Sequence, residues 1–88
     1  MPNKVLVRVK ILPKEIETKP EDIIKSISKY EVVRYEVEPI AFGLNAIIAD
    51  IEIDEAEGGT EPLESYLLSN EYISEIEVIA VSYARTKL

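Results

Sequence analysis

Apolar and polar residues alternate with a period of two in four segments of the chain, and this spacing predicts β-strands with one buried face. The first segment runs from Lys4 to Leu12 and is ended by Pro13, which cannot donate a hydrogen bond to a ladder. Its buried face is expected to consist of Val5, Val7, Val9 and Ile11. This segment is therefore predicted to be a first strand that contributes one side to a core.

Three later segments alternate in the same way and cover Val32 to Glu38, Leu44 to about Ile53, and Ser74 to about Ala84. One face of the second strand carries Val33, Tyr35 and Val37, and the other carries Val32, Arg34, Glu36 and Glu38. The third strand is expected to direct inward Ile47, Ala49, Ile51 and Ile53. On its reverse, the alternating acids Asp50 and Glu52 indicate a solvated face. The last strand is expected to direct inward Ile76, Val78 and Ala80, and outward Glu75, Glu77, Ile79, Val81 and Tyr83.

Apolar residues at helical spacing predict two short helices between the strands. The first is expected from about Pro20 to Tyr30, and Thr18 and Glu21 have the spacing of a capping box at its start. The second is expected to follow Thr60 as its N-cap and to end near Asn70. The inward stripes of the two helices are expected to be Ile23, Ile24, Ile27 and Tyr30 in the first, and Leu63, Tyr66, Leu67 and Asn70 in the second.

The resulting order of elements, β-α-β-β-α-β, predicts an α+β fold of the ferredoxin-like type. In this sandwich a four-stranded antiparallel sheet carries two helices on one face. Right-handed crossovers place the first and third strands at the centre of the sheet. The face without helices is then expected to carry an apolar patch of Leu6, Ile48, Ile79, Val81 and Tyr83. A patch of this kind can mark a site of association.

The composition limits the chemistry available to the 88-residue chain, which is expected to form a single domain over residues 1–88. The chain has no cysteine and no histidine, which excludes the usual zinc ligands and the usual general base near neutral pH. We therefore expect a binding module without cofactor or metal rather than an enzyme. The net charge of −7 opposes direct contact with nucleic acid, and no apolar run has the length of about 20 residues that a membrane span needs. These properties predict a cytoplasmic protein, whose negative charge either serves solubility alone or suits a basic protein partner.

One turn of the chain contains an aromatic residue, in the segment Glu38-Pro39-Ile40-Ala41-Phe42-Gly43-Leu44. Pro39 ends ladder pairing on its own strand, and Gly43 can take a positive φ angle, so the chain can reverse here. Phe42 has two interpretations. Either its ring folds back and covers the core, or it stands out from the hairpin as an anchor that enters a pocket of a partner.

This segment resembles the Pro-Ile-x-Phe-Gly-Ile/Leu hairpin of translation elongation factor one-beta, with Ala41 where relatives often carry glycine. The segment Glu57-Gly58-Gly59-Thr60-Glu61 and the terminal Lys87-Leu88 are similar to the same family, and the compact length is similar to its archaeal branch. The resemblance covers nearly the whole chain. It implies a guanine nucleotide exchange factor for elongation factor one-alpha, the GTPase that delivers aminoacyl-tRNA to the ribosome.

The same resemblance implies roles for individual residues. In the family the hairpin aromatic enters a pocket near the switch region of the GTPase, and by position this role falls on Phe42. Its neighbours in the contact are Pro39, Ile40, Ala41 and Gly43. A terminal lysine of the family disturbs the magnesium and phosphate site, and by position this is Lys87. The alternative for Lys87 is a hydrated chain end.

An alternative also exists for the whole protein. A small regulatory or assembly module of the same fold would self-associate through the open face of the sheet and would need no GTPase. The exchange factor that the resemblance implies is expected to be a monomer or to self-associate only weakly. Gel filtration with and without elongation factor one-alpha distinguishes the two functions.

Overall fold

The computed structural model describes residues 4–84, apart from the side chains at positions 57, 83 and 84. The strands in this range are β1 (Lys4–Pro13), β2 (Glu31–Pro39), β3 (Asn45–Asp54) and β4 (Ile73–Ala84). The helices are α1 (Pro20–Ser26) and α2 (Glu61–Leu68), and short 3-10 turns cover Ala41–Gly43 and Glu55–Glu57. The element order that the periodicity predicts is confirmed.

The four strands form one antiparallel sheet in the order β2-β3-β1-β4, with the first and third strands at its centre. The helices cover one face, as the ferredoxin-like fold requires. The core between helices and sheet contains Val5, Val7, Val9, Ile11, Ile23, Ile27, Ile47, Ala49, Ile51, Ile53, Leu63 and Leu67. Because the predicted inward residues of β1 and β3 are all in this core, the prediction for both strands is confirmed. Burial stabilises the fold by about 1.5–3 kcal/mol for each large aliphatic side chain.

Helix α1 ends at Ser26, one turn before the predicted end at Tyr30. The hydroxyl group of Tyr66 on α2 accepts hydrogen bonds from the backbone N–H groups of Ser28 and Lys29, at 3.1 and 3.2 Å. In a longer helix these two N–H groups would donate to carbonyl oxygens one turn earlier. The tyrosine of the second helix thus replaces the last turn of the first, and it also ties the two helices together.

The predicted starts of the two helices have different outcomes. The N-cap of α1 is Lys19, which makes no side-chain cap bond, so the capping box of Thr18 and Glu21 is wrong. The N-cap of α2 is Thr60, as predicted. Its hydroxyl group donates to the carboxylate of Glu64 at 2.7 Å and does not cap a backbone N–H group. Each helix has a proline in its first turn, where no hydrogen-bond donor is needed.

Both edge strands contain extra residues, as in β-bulges. On β2 the extra residue is Val33, and on β4 the extra residues are Ser74 and Ile79. The bulge on β2 pairs Val32 with Ile51 of β3, and Val32 consequently packs against the core. The prediction that placed Val32 on the same face as Arg34 and Glu36 is therefore wrong, because strict alternation does not hold across a bulge.

The bulge at Ile79 on β4 changes the open face of the sheet more than the bulge on β2 does. Val81 lies opposite Val7, and residues directly opposite in an antiparallel pair share a face, so Val81 lies on the helix side. The open face instead carries Ala80 opposite Arg8, and Ser82 opposite Leu6. Ala80 was expected to face inward, and Val81 outward. The predicted apolar patch on the open face, which required Val81, is therefore wrong.

Candidate functional site

Residues 40–44 connect β2 to β3 and form the tip of a hairpin at one end of the sheet. The backbone N–H group of Ile40 donates to the carbonyl oxygen of Leu44 at 2.9 Å, and the N–H group of Leu44 donates to that of Ala41 at 3.3 Å. Pro39 and Asn45 form the last pair of the ladder next to them. Because backbone hydrogen bonds close it, the tip is a defined turn rather than an open loop.

The side chain of Phe42 is 90% exposed on this tip. The backbone of Phe42 has φ 64° and ψ 28°, in the left-handed region, and Gly43 follows with φ 77°. An aromatic ring left in water forgoes about 1.5–3 kcal/mol that its burial would contribute. The interpretation in which Phe42 covers the core is therefore wrong, and the ring is free to contact a partner.

The other residues predicted from the hairpin motif lie beside Phe42 in the same turn. Pro39, Ala41 and Gly43 are exposed, and Ile40 is half-buried. No side chain of residues 40–44 carries a titratable group. The tip can therefore contribute apolar surface and backbone groups to a complex, but it cannot transfer a proton.

Lys87, the other predicted exchange residue, lies outside the described residues. The strand that precedes it, β4, ends at Ala84, which pairs with Lys4 at the start of β1. At the other end of β1, Ile11 pairs with Ile47, which lies close to the hairpin tip. The structure thus brings the motif residues of the tip together, and β4 ends at the opposite end of the sheet.

A charged cluster in the middle of the open face was not predicted from the sequence. The side chain of Asp50 on β3 is only 7% exposed and lies between Arg8 on β1 and Arg34 on β2. Its Oδ1 atom accepts a hydrogen bond from Arg8 Nε at 2.9 Å. Its Oδ2 atom accepts one from Arg8 Nη2 at 3.2 Å and lies 2.8 Å from Arg34 Nε. Each carboxylate oxygen is therefore paired with a guanidinium group.

This pairing controls the ionisation of the cluster. The hydrogen bonds from Arg8, together with the positive charges of Arg8 and Arg34, hold the pKa of Asp50 below its ordinary value of 3.8, although burial acts in the opposite direction. The hydrogen bond with Asp50 likewise raises the pKa of Arg8. Asp50 is consequently ionised at neutral pH. The cluster Arg8–Asp50–Arg34 consists of two ion pairs that share Asp50 and connect three strands.

The expectation of a solvated face at Asp50 is therefore wrong. The signal available in the sequence was a pair of opposite charges at facing positions, because Asp50 is the ladder partner of both Arg8 and Arg34. Reading this signal required the register, and on β2 the register depends on the bulge at Val33. A groove of about 190 Å³ beside the cluster is lined by Leu6, Arg8, Arg34, Asp50, Ala80 and Ser82.

Two further kinds of site are absent from residues 4–84, as far as the structure describes them. Leaving aside the side chains at positions 57, 83 and 84, no group of three or more acidic side chains in this range could hold a metal ion. No helix within it has the length and apolar character to cross a membrane. The hairpin tip thus remains the candidate site, and its chemistry is that of apolar contact.

Comparison with known proteins points to one family. The family described as EF-1 guanine nucleotide exchange domain matches residues 6–83. The chain is 43% identical to elongation factor 1-beta of Thermofilum pendens, over 91% of this chain and 94% of that protein. It is 45% identical to elongation factor 1-beta of Staphylothermus marinus, over 89% and 93%. It is 43% identical to that of Hyperthermus butylicus, over 89% and 91%. The range matched by the family contains the whole hairpin.

Proposed function

The chain belongs to the family of EF-1 guanine nucleotide exchange domains, and from this premise we propose that its hairpin tip engages the GTPase, with Phe42 as the anchor. The protein is a guanine nucleotide exchange factor for elongation factor one-alpha in translation elongation. The other residues of the proposed site are those beside Phe42 in the tip, namely Pro39, Ile40, Ala41 and Gly43.

The exposed ring of Phe42 is the observation that supports this proposal. Large aromatic side chains that enter a pocket at the centre of an interface commonly contribute 2 kcal/mol or more to binding. Phe42 is 90% exposed, and the backbone hydrogen bonds of the tip hold it at the end of the hairpin. The backbone that carries the ring therefore loses little conformational freedom when a partner covers it.

Exchange by this route needs no covalent chemistry from the chain. A factor that binds the nucleotide-free GTPase more tightly than the GDP-bound form lowers the affinity for GDP by the same ratio, because the two binding equilibria are linked. The emptied site is then open to GTP. The protein in this proposal is a binding factor and not an enzyme in the usual sense.

The tip and the carboxyl end of β4 are too far apart to enter one pocket. β1 joins the two ends of the sheet with 10 residues, which at about 3.3 Å each is roughly 30 Å. Lys87 follows Ala84 by three positions in the sequence, and three residues extend the chain by at most about 11 Å. The proposal therefore has two separate contacts on the GTPase, one for Phe42 and one for Lys87 at the magnesium and phosphate site.

Lys87→Ala is expected to leave formation of the complex nearly unchanged, since Phe42 still anchors it, and to slow the release of GDP. The slowing should increase with magnesium concentration, because an ammonium group competes with the ion for charge at the phosphates. Lys87→Arg should restore the rate only in part, because a guanidinium group is broader than an ammonium group. Stopped-flow release of fluorescent GDP over a magnesium series measures these rates. Equal rates for wild type and Lys87→Ala at every concentration would remove Lys87 from the mechanism.

The proposal places a monomer in the cytoplasm, where elongation takes place. The alternative assembly module relied on an apolar patch that the register of β4 does not form. The net charge of −7 also makes two copies repel each other. Light scattering is expected to give the mass of a single chain, and a stable dimer would favour the assembly module.

The assigned function is tested most directly by the release of labelled GDP from the cognate elongation factor one-alpha. The rate of GDP release is expected to rise with the concentration of the added protein until the GTPase is saturated with it. A release rate that does not respond to the protein would contradict exchange activity.

A further inference from the structure

Two consecutive residues of the hairpin tip have left-handed backbone angles. Phe42 has φ 64°, and among the described residues it alone has a positive φ without being glycine. Gly43 follows with φ 77°. Side chains with a Cβ atom occupy this region at a conformational cost, and large ones rarely do so. The surrounding structure must therefore hold Phe42 in place.

The backbone of the turn provides this restraint. The bond from Ile40 N–H to the carbonyl oxygen of Leu44 closes the tip, and the bond from Leu44 N–H to that of Ala41 closes a smaller turn inside it. The chain can return to β3 within this ring because Gly43 takes φ 77°. A Cβ atom added at Gly43 would meet no atom within 4 Å. In the free protein the requirement for glycine is thus one of backbone angle and not of space.

We propose that Gly43 is a positioning residue, which fixes the turn so that the ring of Phe42 is presented in its binding orientation before the GTPase arrives. The inference rests on the proposed function, because it concerns the same tip. It goes further in giving Gly43 an indirect role, through the backbone of Phe42, in place of a direct contact. A turn ordered in advance improves affinity, because less conformational freedom is lost on binding.

Three substitutions at Gly43 separate backbone angle from size. Asparagine accepts left-handed angles more readily than alanine does, and a β-branched valine accepts them least. The affinity for elongation factor one-alpha is therefore expected to fall least for Gly43→Asn, further for Gly43→Ala and most for Gly43→Val. The loss for alanine should be about five- to thirtyfold, which corresponds to the left-handed cost of 1–2 kcal/mol at 1.4 kcal/mol per factor of ten.

A direct contact of Gly43 with the partner predicts a different order. If the partner approaches the glycine closely, the loss follows side-chain size, so that alanine is tolerated better than asparagine. That order, measured by titration calorimetry, would overturn the proposal. Gly59 has φ 90° and equally open surroundings in the loop before α2, so Gly59→Val gives the stability cost of the same change away from the tip.

A double-mutant cycle with Phe42→Ala tests whether Gly43 acts through the ring. Once the ring is absent, Gly43→Val is expected to cause no further loss of affinity, because nothing remains to be positioned. Additive losses would show that Gly43 acts independently of Phe42 and would overturn the proposal. The single variant Phe42→Ala tests the proposed function separately: unchanged affinity there would refute the anchor itself, whatever the Gly43 variants do.

Discussion

Phe42→Ala is expected to weaken binding to elongation factor one-alpha by about thirtyfold or more while leaving the melting temperature nearly unchanged. The expected loss corresponds to the roughly 2 kcal/mol or more that an interface anchor contributes, at 1.4 kcal/mol per factor of ten. The ring is 90% exposed in the free protein, so its removal creates no cavity. The substitution should therefore change the affinity for the GTPase without changing the stability of the fold.

The effect of Phe42→Ala on the kinetics of exchange follows from the position of Phe42 in the fold. The tip lies at the opposite end of the sheet from the last residue of β4. The ring therefore contributes to holding the complex together, far from the chain end that contains Lys87. The factor concentration that gives half-maximal GDP release should therefore rise with the dissociation constant, and most of the maximal rate should be retained. Stopped-flow release over a range of factor concentrations measures both quantities.

Two adjacent leucines of α2 serve as controls. Leu67 is fully buried, and Leu67→Ala is expected to cost about 2–5 kcal/mol of folding free energy, which lowers the melting temperature by roughly 8 °C or more. Leu68 is exposed, and Leu68→Ala should change neither stability nor affinity by much. A Phe42→Ala protein that melts like the Leu67 variant and binds normally would make Phe42 a core residue.

The elements that could be predicted from the sequence are those whose secondary structure and buried face are determined by one local pattern. Strict alternation identifies β1 and β3, because both lie at the centre of the sheet and bury one face under the helices. The turn at residues 40–44 could be located from Pro39 and Gly43, and its specific motif identified the family. The local pattern does not decide the exposure of Phe42, since a ring at a turn can fold inward or outward, and the exposed ring that the structure confirms was predicted only from the resemblance.

Two of the incorrect predictions, the end of α1 and the outward face of β4, share a physical cause, which is that contacts distant in sequence override the local pattern. α1 ends early because the hydroxyl group of Tyr66, from the other helix, takes the backbone N–H groups that follow it. The bulge at Ile79 puts Val81 on the other face, although the alternation along β4 looks unbroken. The role of Tyr66 depends on how the two helices pack, and the bulge depends on the register of the sheet, so neither can be recognised from the local pattern.

The bulges at Val33 and Ile79 adjoin the row of the sheet that contains Asp50. On β2 the extra Val33 puts Arg34 opposite Asp50, and on β4 the extra Ile79 puts the small side chain of Ala80 beside Arg8. A buried carboxylate without partners would be strongly destabilising. The irregular register on β2 therefore brings the second guanidinium group to this carboxylate, which explains why a polar cluster is tolerated at the centre of the open face.

Asp50→Asn is accordingly expected to destabilise the fold more than any other change of a single charge on this face. The amide keeps the shape of the side chain, but it loses the charge, and an NH2 donor replaces one of the two oxygens that face the guanidinium groups. Hydrogen bonds to charged groups contribute about 1.5–3 kcal/mol each, and the partial exposure of Arg8 and Arg34 reduces this value. We expect a loss of about 2 kcal/mol, or a fall in melting temperature of roughly 8–16 °C.

A matched control keeps the change in net charge the same. Glu38 is exposed on β2, and Glu38→Gln should alter the free energy of unfolding by less than about 0.5 kcal/mol. GDP release at 25 °C should be normal for both variants, because the cluster lies in the middle of the sheet and the tip is unchanged. A melting temperature for Asp50→Asn equal to that of Glu38→Gln would show that the cluster contributes nothing to stability.

The effect of Asp50 should also depend on pH in a defined direction. The folded protein holds the pKa of Asp50 below the ordinary value of 3.8, so the unfolded chain takes up its proton at a higher pH than the folded one. The stabilisation is therefore complete above pH 3.8 and is lost as the pH falls through the folded pKa. Urea unfolding of wild type and Asp50→Asn should show the full difference in free energy at pH 7 and a shrinking difference below pH 3.8. A difference that stays constant down to the lowest pH at which both proteins fold would mean that packing, and not the charge of Asp50, stabilises this part of the sheet.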